Sequence, residues 1–237
     1  MNPLSALLNL FLPRECHVCG SRLLESEKFV CGDCVGELPY TGYDNYWNND
    51  SGINTDLNPM EQRFAGHVLL GHACAPFFYS RDSALASLIQ DFKYRNFPSL
   101  AVTLGRIGAS RLSVSMLFDG VDLLLPVPLH RTKRRRRGYN QSEKIAEGVS
   151  EVTGIPLGDQ LVARKAHRTQ TSLSAERRFE NTLNVFGVER PETLRGKHIM
   201  LVDDICTTGA TLLAAARAVT ENVGRETKIS FFTVGVV

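Results

Sequence analysis

The stretch IMLVDDICTTGATL, residues Ile199–Leu212, constrains the possible folds of this chain more than any other feature. It places four consecutive apolar residues before two adjacent carboxylates, Asp203 and Asp204, and follows them with Thr-Thr-Gly-Ala-Thr. The apolar run predicts a strand buried in a core. Because buried carboxylates without partners are costly, we expect this strand to end at a ligand-binding site.

Strand and helix patterns alternate through the second half of the chain. From Asp122 onward they predict an apolar strand, an amphipathic helix ending at Gly154, a short strand, a polar stretch, the strand with the two acids, a helix and a final strand. An earlier amphipathic helix is predicted behind a cap at Asp82 or Ser83. This alternation predicts an α/β fold with a mostly parallel sheet flanked by helices. Ligands bind outside the carboxyl ends of the strands in such folds.

The loop after the two acids has the composition of an anion site. A strand that leads through a glycine-containing loop into a helix directs backbone N–H groups toward one point, at the positive end of the helix dipole. Gly209 allows close backbone approach, and the hydroxyls of Thr207, Thr208 and Thr211 add donors. The carboxylates suit sugar hydroxyls or a hydrated magnesium ion. The predicted ligand is a phosphorylated sugar.

Four of the six cysteines form two Cys-x-x-Cys pairs near the N-terminus: Cys16, Cys19, Cys31 and Cys34. Together they offer four thiolates for a tetrahedral zinc ion. Redox-active dithiols and free thiols are the alternatives. Four protein ligands close the coordination sphere, so a zinc ion here is expected to be structural. The remaining two, Cys74 and Cys206, are predicted to be buried small hydrophobic residues.

The composition favours a small module followed by one main domain. With 43% apolar and 22% charged residues among 237, the chain fits a globular protein. The predicted division is 1–40 for a short helix and the cysteine module, 41–66 for a linker, and 67–237 for the α/β domain. The N-terminal apolar stretch lacks the charged region of a signal peptide and the length of a spanning helix. We therefore expect a cytoplasmic location without membrane insertion.

Five consecutive cations, Lys133–Arg137, follow the apolar strand DLLLPVP. Such a run is ordinarily a solvated surface. Its predicted place at the carboxyl end of a strand instead favours contact with a pyrophosphate or with a nucleic-acid backbone, and a nearby tyrosine could stack on a base of single-stranded DNA. The candidate nucleic-acid residues are Lys133, Arg134, Arg135, Arg136 and Tyr139.

The strand, the two acids and the Thr-Thr-Gly-x-Thr loop resemble the phosphoribosyl-pyrophosphate (PRPP) signature of type I phosphoribosyltransferases. The nearer resemblance is to the ComF family, which is linked to bacterial competence and DNA utilisation. The resemblance covers nearly the whole chain. It is carried by the cysteine pairs, by FKYRN at 92–96, PVPLH at 126–130, RRGYNQS at 136–142 and LVDDICTTGATL at 201–212, and by Gln170, Arg177 and Asn181.

The resemblance implies a type I phosphoribosyltransferase-like fold with a PRPP site that uses magnesium. The acids would hold ribose hydroxyls and the loop would hold the 5′-phosphate. The implied PRPP-binding residues are Asp203, Asp204, Thr207, Thr208, Gly209, Ala210 and Thr211. Arg137, Gln170 and Arg177 suit pyrophosphate binding, the last two within a hood at 165–181 that closes over the substrate in relatives. Because Thr207 replaces the acidic residue of purine-salvage relatives, a 6-oxopurine acceptor is not expected.

Two classes of function remain open at this stage. The first is an enzyme of nucleotide or nucleoside metabolism that transfers a phosphoribosyl group to an unidentified acceptor, or hydrolyses PRPP. The second is a non-catalytic single-stranded-DNA-binding or regulatory competence factor, which keeps the phosphoribosyl site as a binding module and contacts DNA or a DNA-uptake protein. A fold resemblance cannot separate them, because function depends on the site.

Overall fold

The computed structural model describes residues 13–47, 56–113, 115–164 and 185–237. Its main feature is a parallel sheet in the order β1-β7-β6-β3, and the short β2 also pairs with β7. The strands are β1 (Leu69–Cys74), β2 (Phe77–Phe78), β3 (Leu123–Pro126), β6 (Ile199–Cys206) and β7 (Lys228–Val236). A separate antiparallel pair is formed by β4 (Leu161–Ala163) and β5 (Phe186–Val188).

Seven α-helices surround these strands within the described residues. They are α1 (Gly32–Gly36), α2 (Pro59–Gln62), α3 (Ala84–Tyr94), α4 (Pro98–Leu112), α5 (Arg131–Arg137), α6 (Gln141–Thr153) and α7 (Ala210–Val223). Three short 3-10 helices lie at Tyr43–Tyr46, Met116–Phe118 and Pro191–Leu194. No helix in the described part of the chain is both long and apolar enough to cross a membrane.

The centre of the sheet matches the sequence prediction. The two longest strands, β6 and β7, are paired from Ile199 opposite Ile229 to Cys206 opposite Val236, and almost all their residues are buried. Burial on both faces explains why both strands are continuous apolar runs rather than alternating patterns. The predicted α/β fold with a mostly parallel sheet is confirmed.

Helix α3 begins, and helix α6 ends, at the residues that the sequence predicted. Helix α3 begins behind Ser83, whose hydroxyl accepts a hydrogen bond from the Ala86 N–H at 3.1 Å. Helix α6 ends at Gly154, which adopts the left-handed conformation with φ +72°. The predicted strand near residue 161 is present as β4, but it pairs with β5 outside the main sheet. The predicted N-terminal helix and the hood at 165–181 lie outside the described residues.

Helices α4 and α6 pack with their backbones in contact. A Cβ atom at Gly105 would lie 2.2 Å from the carbonyl oxygen of Ile145, and one at Gly148 would lie 2.1 Å from that of Val102. Only glycine fits at both positions. Asn140, at the start of α6, also donates a 3.1 Å hydrogen bond to the Val127 carbonyl after β3. These contacts fix the first turn of α6 beside the carboxyl end of the sheet.

Part of the segment predicted as a linker packs against the main sheet. Asn58 forms a capping box with Glu61 at the start of α2 and donates a 2.9 Å hydrogen bond to the Ala73 carbonyl of β1. Met60 and Phe64 are fully buried. The Phe64 ring stacks on Phe231 of β7 with a centroid separation of 4.0 Å. Residues 56–66 therefore pack against the sheet and support it.

The cysteine module packs against the junction of α3 and α4. His17, which lies between the first two cysteines, contacts Asp91 of α3 through Nδ1 at 2.8 Å. Its ring also makes edge contacts with Phe29 of the module and with Phe97, the residue before α4. Asp91 is buried, so this is a desolvated contact between the module and the main domain.

Candidate functional site

The two acids and the threonine-rich loop lie at the carboxyl end of β6, as predicted. The chain passes from Asp203 and Asp204 through the exposed Thr207 and Thr208 into α7. Gly209 begins α7 with φ +80°, and a Cβ there would lie 3.0 Å from the Phe64 ring. The loop therefore needs glycine for two reasons, the left-handed backbone and the aromatic ring packed against it. The N-terminus of a 14-residue helix follows at once, which suits an anion.

Arg63 fastens this loop to the end of the sheet. Its guanidinium donates hydrogen bonds to the carbonyl oxygens of Thr207 and, at 2.6 Å, of Val237. Sequence reasoning missed Arg63, because no motif distinguishes it within a polar segment. Its neighbour Phe64 lies against Gly209. The residues just after α2 thus hold the loop at the Thr207 carbonyl and at Gly209.

The Asp203 carboxylate is held from two sides. Its Oδ1 accepts hydrogen bonds from the Ser142 hydroxyl of α6 at 2.8 Å and from the Asp204 N–H at 2.9 Å. Burial, followed by the charge of Asp204, raises the pKa of Asp203 to about 7. Ser142 belongs to the RRGYNQS motif, but the motif alone did not predict that Ser142 contacts Asp203.

A lysine supplies the counter-charge for the second acid. The Nζ of Lys93, in the last turn of α3, lies 2.6 Å from Oδ2 of Asp204. Both side chains are largely buried, at 16% and 11% exposure. Lys93 is part of FKYRN, a motif that pointed to the family but not to this contact. The site therefore holds three charged groups from two distant segments of the chain.

A basic cleft adjoins the acidic pair and has a volume of about 690 Å³. It is lined by Lys93, Tyr94, Asn96, Lys133, Arg135, Arg136, Arg137 and Gly138. The cation run forms a short helix, α5, and its side chains divide between two faces. Arg131 and Arg134 line a different cavity, next to β4. Of the candidate nucleic-acid cations, the structure therefore brings Lys133, Arg135 and Arg136 together and leaves Arg134 apart.

Two tyrosines near this cleft have different environments. Tyr139, the predicted stacking residue, is half-buried and donates its hydroxyl hydrogen bond to the Phe92 carbonyl. Tyr94 is 66% exposed and lines the cleft, with the Arg137 guanidinium 5.4 Å from its ring centroid. Arg137, predicted to bind pyrophosphate, thus lies in the basic cleft. The other two residues predicted for that role, Gln170 and Arg177, are outside the described residues.

The four cysteines of the N-terminal module meet at one point. The sulfur atoms of Cys16, Cys19, Cys31 and Cys34 all lie within 4.8 Å of one another. The Cys19 and Cys31 sulfurs are 3.7 Å apart, close to the spacing of about 3.8 Å that a tetrahedron with metal–sulfur bonds of about 2.3 Å requires. Two backbone N–H groups, of Val18 and Cys31, donate to the Cys16 sulfur at 3.4 Å.

The chemistry of the cysteine cluster also fits a divalent cation. Burial and the neighbouring cysteine sulfurs raise the pKa of Cys34, so a cation is needed to keep all four sulfurs as thiolates together. The cluster can hold a metal ion and is compatible with structural zinc. Cys74 and Cys206 lie apart from it and are buried, as predicted.

Comparison with known proteins places this site in a family. The family model described as "Phosphoribosyl transferase domain" matches residues 125–234. "DNA utilization protein YhgH" of Escherichia coli (strain K12) is 31% identical over 211 residues, which cover 87% of this chain and 84% of that protein. The chain belongs to the ComF family. The ComF resemblance drawn from the sequence is thereby confirmed.

Other ComF-family relatives match along most of their length. "Competence protein F" of Haemophilus influenzae is 29% identical over 221 residues, covering 87% of this chain and 90% of that protein. "Competence protein ComFC" of Bacillus subtilis is 28% identical over 225 residues, covering 92% and 82%. Among solved structures, the glutamine PRPP amidotransferase from B. subtilis is similar at 20% identity and a TM-score of 0.41, over 60% of this chain and 30% of that one.

The raised pKa of Asp203 predicts that its ionisation destabilises this ComF-family protein when no ligand is bound. The pKa is about 7 in the folded chain against 3.8 as the ordinary value. The folded state therefore binds more protons between these values, and stability falls as pH rises through that window. Asp203→Asn removes this cost. Melting temperatures without PRPP should show the variant above the parent at about pH 8, with a difference that shrinks toward about pH 4.

Asp119→Asn is the control for this measurement. Asp119 is an exposed acid before β3, away from the acidic pair, so this change leaves the surroundings of Asp203 intact and should bring no such gain in melting temperature. A difference between Asp203→Asn and the parent that is the same at every pH would show that the ionisation of Asp203 has no cost.

Proposed function

We propose that this ComF-family chain binds PRPP together with magnesium at the carboxyl end of β6. The observation that carries the proposal is the order of chemical groups along the site. An exposed threonine-rich loop at a helix N-terminus comes first, the acidic pair lies beside it, and the basic cleft adjoins the pair. In PRPP the ribose hydroxyls lie between the 5′-phosphate and the pyrophosphate on C1. The order of groups along the site therefore matches the order of groups along PRPP.

Each part of the ligand has a matching group in this proposal. The loop from Thr207 to Thr211 binds the 5′-phosphate through backbone N–H groups and hydroxyls. Asp203 and Asp204 accept hydrogen bonds from the ribose hydroxyls, and their negative charge attracts magnesium. Arg135 and Arg137 bind the pyrophosphate from the basic cleft. Gln170 and Arg177, which lie outside the described residues, are included in the proposal as further pyrophosphate-binding residues.

The reaction that fits this site is phosphoribosyl transfer. Departure of pyrophosphate from C1 leaves positive charge on the sugar, so a site that binds the leaving group and faces the sugar with carboxylates stabilises both charges. Magnesium, when bound, neutralises part of the pyrophosphate charge. The new bond at C1 forms to an unidentified acceptor or, in hydrolysis of PRPP, to water, and among the described residues we assign no general base to this step.

We also propose that the four cysteines hold a structural zinc ion. In this proposal residues 1–40 are a small module joined to the main domain at 67–237 by 41–66, of which 56–66 also packs against the sheet. The sulfur spacing and the N–H groups directed at Cys16 support zinc. All four ligands come from the chain, so the ion stabilises the module and takes no part in chemistry.

A second candidate function is single-stranded DNA binding at the basic cleft. The observation that favours it is the combination of clustered cations with the exposed Tyr94, since cations follow a phosphate backbone and an exposed ring can stack on a base. We assign the stacking role to Tyr94 rather than Tyr139, because the Tyr139 hydroxyl is engaged with Phe92. This candidate agrees with the competence and DNA-utilisation names of the relatives.

The PRPP proposal predicts a large loss of affinity when both acids are neutralised. The double change Asp203→Asn and Asp204→Asn removes charge-assisted hydrogen bonds worth about 1.5–3 kcal/mol each, so PRPP affinity should fall at least about tenfold. Isothermal titration with PRPP and magnesium at about pH 8, where Asp203 is ionised, measures it. Asp119→Asn, an exposed acid just before β3 at the other end of the sheet, is the control. Equal affinity in the parent and the double variant contradicts the proposal.

The zinc proposal predicts that one cysteine change releases the metal and loosens only the module. Cys16→Ser should abolish stoichiometric zinc and increase hydrogen exchange in residues 13–40, while exchange in β6 and β7 stays slow. Metal analysis and exchange mass spectrometry measure both effects, and Cys74→Ala, outside the cluster, is the control. A parent protein purified without bound metal, with exchange unchanged in Cys16→Ser, would refute the claim.

The DNA-binding candidate predicts a difference between the two faces of α5. Arg135→Gln with Arg136→Gln should weaken single-stranded DNA binding and lower the slope of log affinity against log salt by about 1.4, since each phosphate contact contributes about 0.7. Arg131→Gln with Arg134→Gln removes the same charge from the other face of the helix and should change the slope little. If both pairs have the same effect, net charge rather than the cleft determines binding.

A further inference from the structure

We propose that Lys93 is a ligand-binding residue of this site, and that its ammonium group binds the pyrophosphate of PRPP while it holds Asp204. This inference rests on the proposed PRPP function and adds to it a residue from outside the PRPP signature. Lys93 lies 2.6 Å from Oδ2 of Asp204 and also lines the basic cleft. Of the described residues that line the cleft, Lys93 is the one that contacts the acidic pair.

In this proposal Lys93 lies next to C1 and C2 of the PRPP ribose. The hydroxyl on C2 of the ribose is next to C1, which carries the pyrophosphate. A group that contacts both the hydroxyl-binding carboxylate and the phosphate-binding cleft therefore lies beside the bond that breaks during transfer. An ammonium group has three donors. Its ion pair with Asp204 leaves donors available for phosphate oxygens in the cleft.

The backbone around Lys93 is fixed independently of its contact with Asp204. On one side, the buried Asp91 pairs with His17 at 2.8 Å and with Arg95 at 3.2 Å. On the other, the fully buried Phe92 accepts at its carbonyl a hydrogen bond from Tyr139. The last turn of α3 is thus anchored to the cysteine module and to the start of α6. A donor held in this way loses little freedom when the ligand binds.

Charge explains why a cation is needed at this point. Asp203 and Asp204 would together present up to two negative charges to a ligand that is itself a polyanion. Like charges at short distance in a partly buried site repel strongly. Lys93 offsets one carboxylate, so the pair can accept hydrogen bonds from hydroxyls without repelling the adjacent pyrophosphate. Among the described residues, no ion pair joins an arginine of α5 to either acid, whereas Lys93 pairs with Asp204.

The test compares two ligands on one variant. In Lys93→Gln, titration at about pH 8 should show at least about a tenfold loss of affinity for PRPP with magnesium, and less than about a threefold loss for ribose 5-phosphate, which has no pyrophosphate. Lys93→Arg keeps the charge and should recover most of the affinity. Lys144→Gln is the matched control, because it makes the same change at a lysine of α6 that pairs with Glu147 and does not line the cleft.

The outcomes separate this inference from the proposed function. If the parent binds PRPP and Lys93→Gln binds it equally well, the role of Lys93 is refuted and PRPP binding stands. If the variant loses PRPP and ribose 5-phosphate to the same degree, Lys93 only neutralises Asp204, and pyrophosphate binding by Lys93 is refuted. If the parent binds neither PRPP nor pyrophosphate with magnesium, both proposals are wrong. A melting temperature of Lys93→Arg close to that of the parent checks that the fold is retained.

Discussion

The rest of this structure depends on two adjacent carboxylates at the end of a buried strand. Burial and mutual repulsion make Asp203 and Asp204 unfavourable neighbours, as the raised pKa of Asp203 indicates. Two side chains stabilise the pair: the Ser142 hydroxyl donates a hydrogen bond to Asp203, and the Lys93 ammonium forms an ion pair with Asp204. Each comes from a different helix, so the packing of both helices against the sheet serves the acidic pair. A protein keeps such an arrangement where binding outweighs stability.

The threonine-rich loop is also held by residues from a distant part of the chain. Its exposed side remains open, while its other side is fixed by Arg63 and by the ring of Phe64. Phe64 in turn stacks on Phe231 in the centre of the sheet. The loop is therefore held in place by the core, and in the proposed function it needs little rearrangement to receive a phosphate. Preorganisation of this kind lowers the entropic cost of binding.

The sequence predicted the parts of the fold and the site that are local in the chain. The acids, the loop and the start of α7 are contiguous, so they were recognisable together. Helix α4 was not predicted, since Gly105 and Gly108 lower its helix propensity and its packing against α6 decides its structure. The partners Lys93, Ser142 and Arg63 could not be assigned, because only tertiary packing brings them to β6.

Helix α3 contacts both the cysteine module and the acidic pair. Its buried Asp91 pairs with His17 of the cysteine module, and Lys93, two residues later, pairs with Asp204. These two side chains hold the same helical turn from different sides. Loosening of the module would therefore remove one of the contacts that fix the turn, and the ammonium group would lose part of its preorganisation toward the cleft. If the proposed zinc and PRPP sites are both present, a metal ion held by the four cysteines therefore contributes to the geometry of the PRPP site.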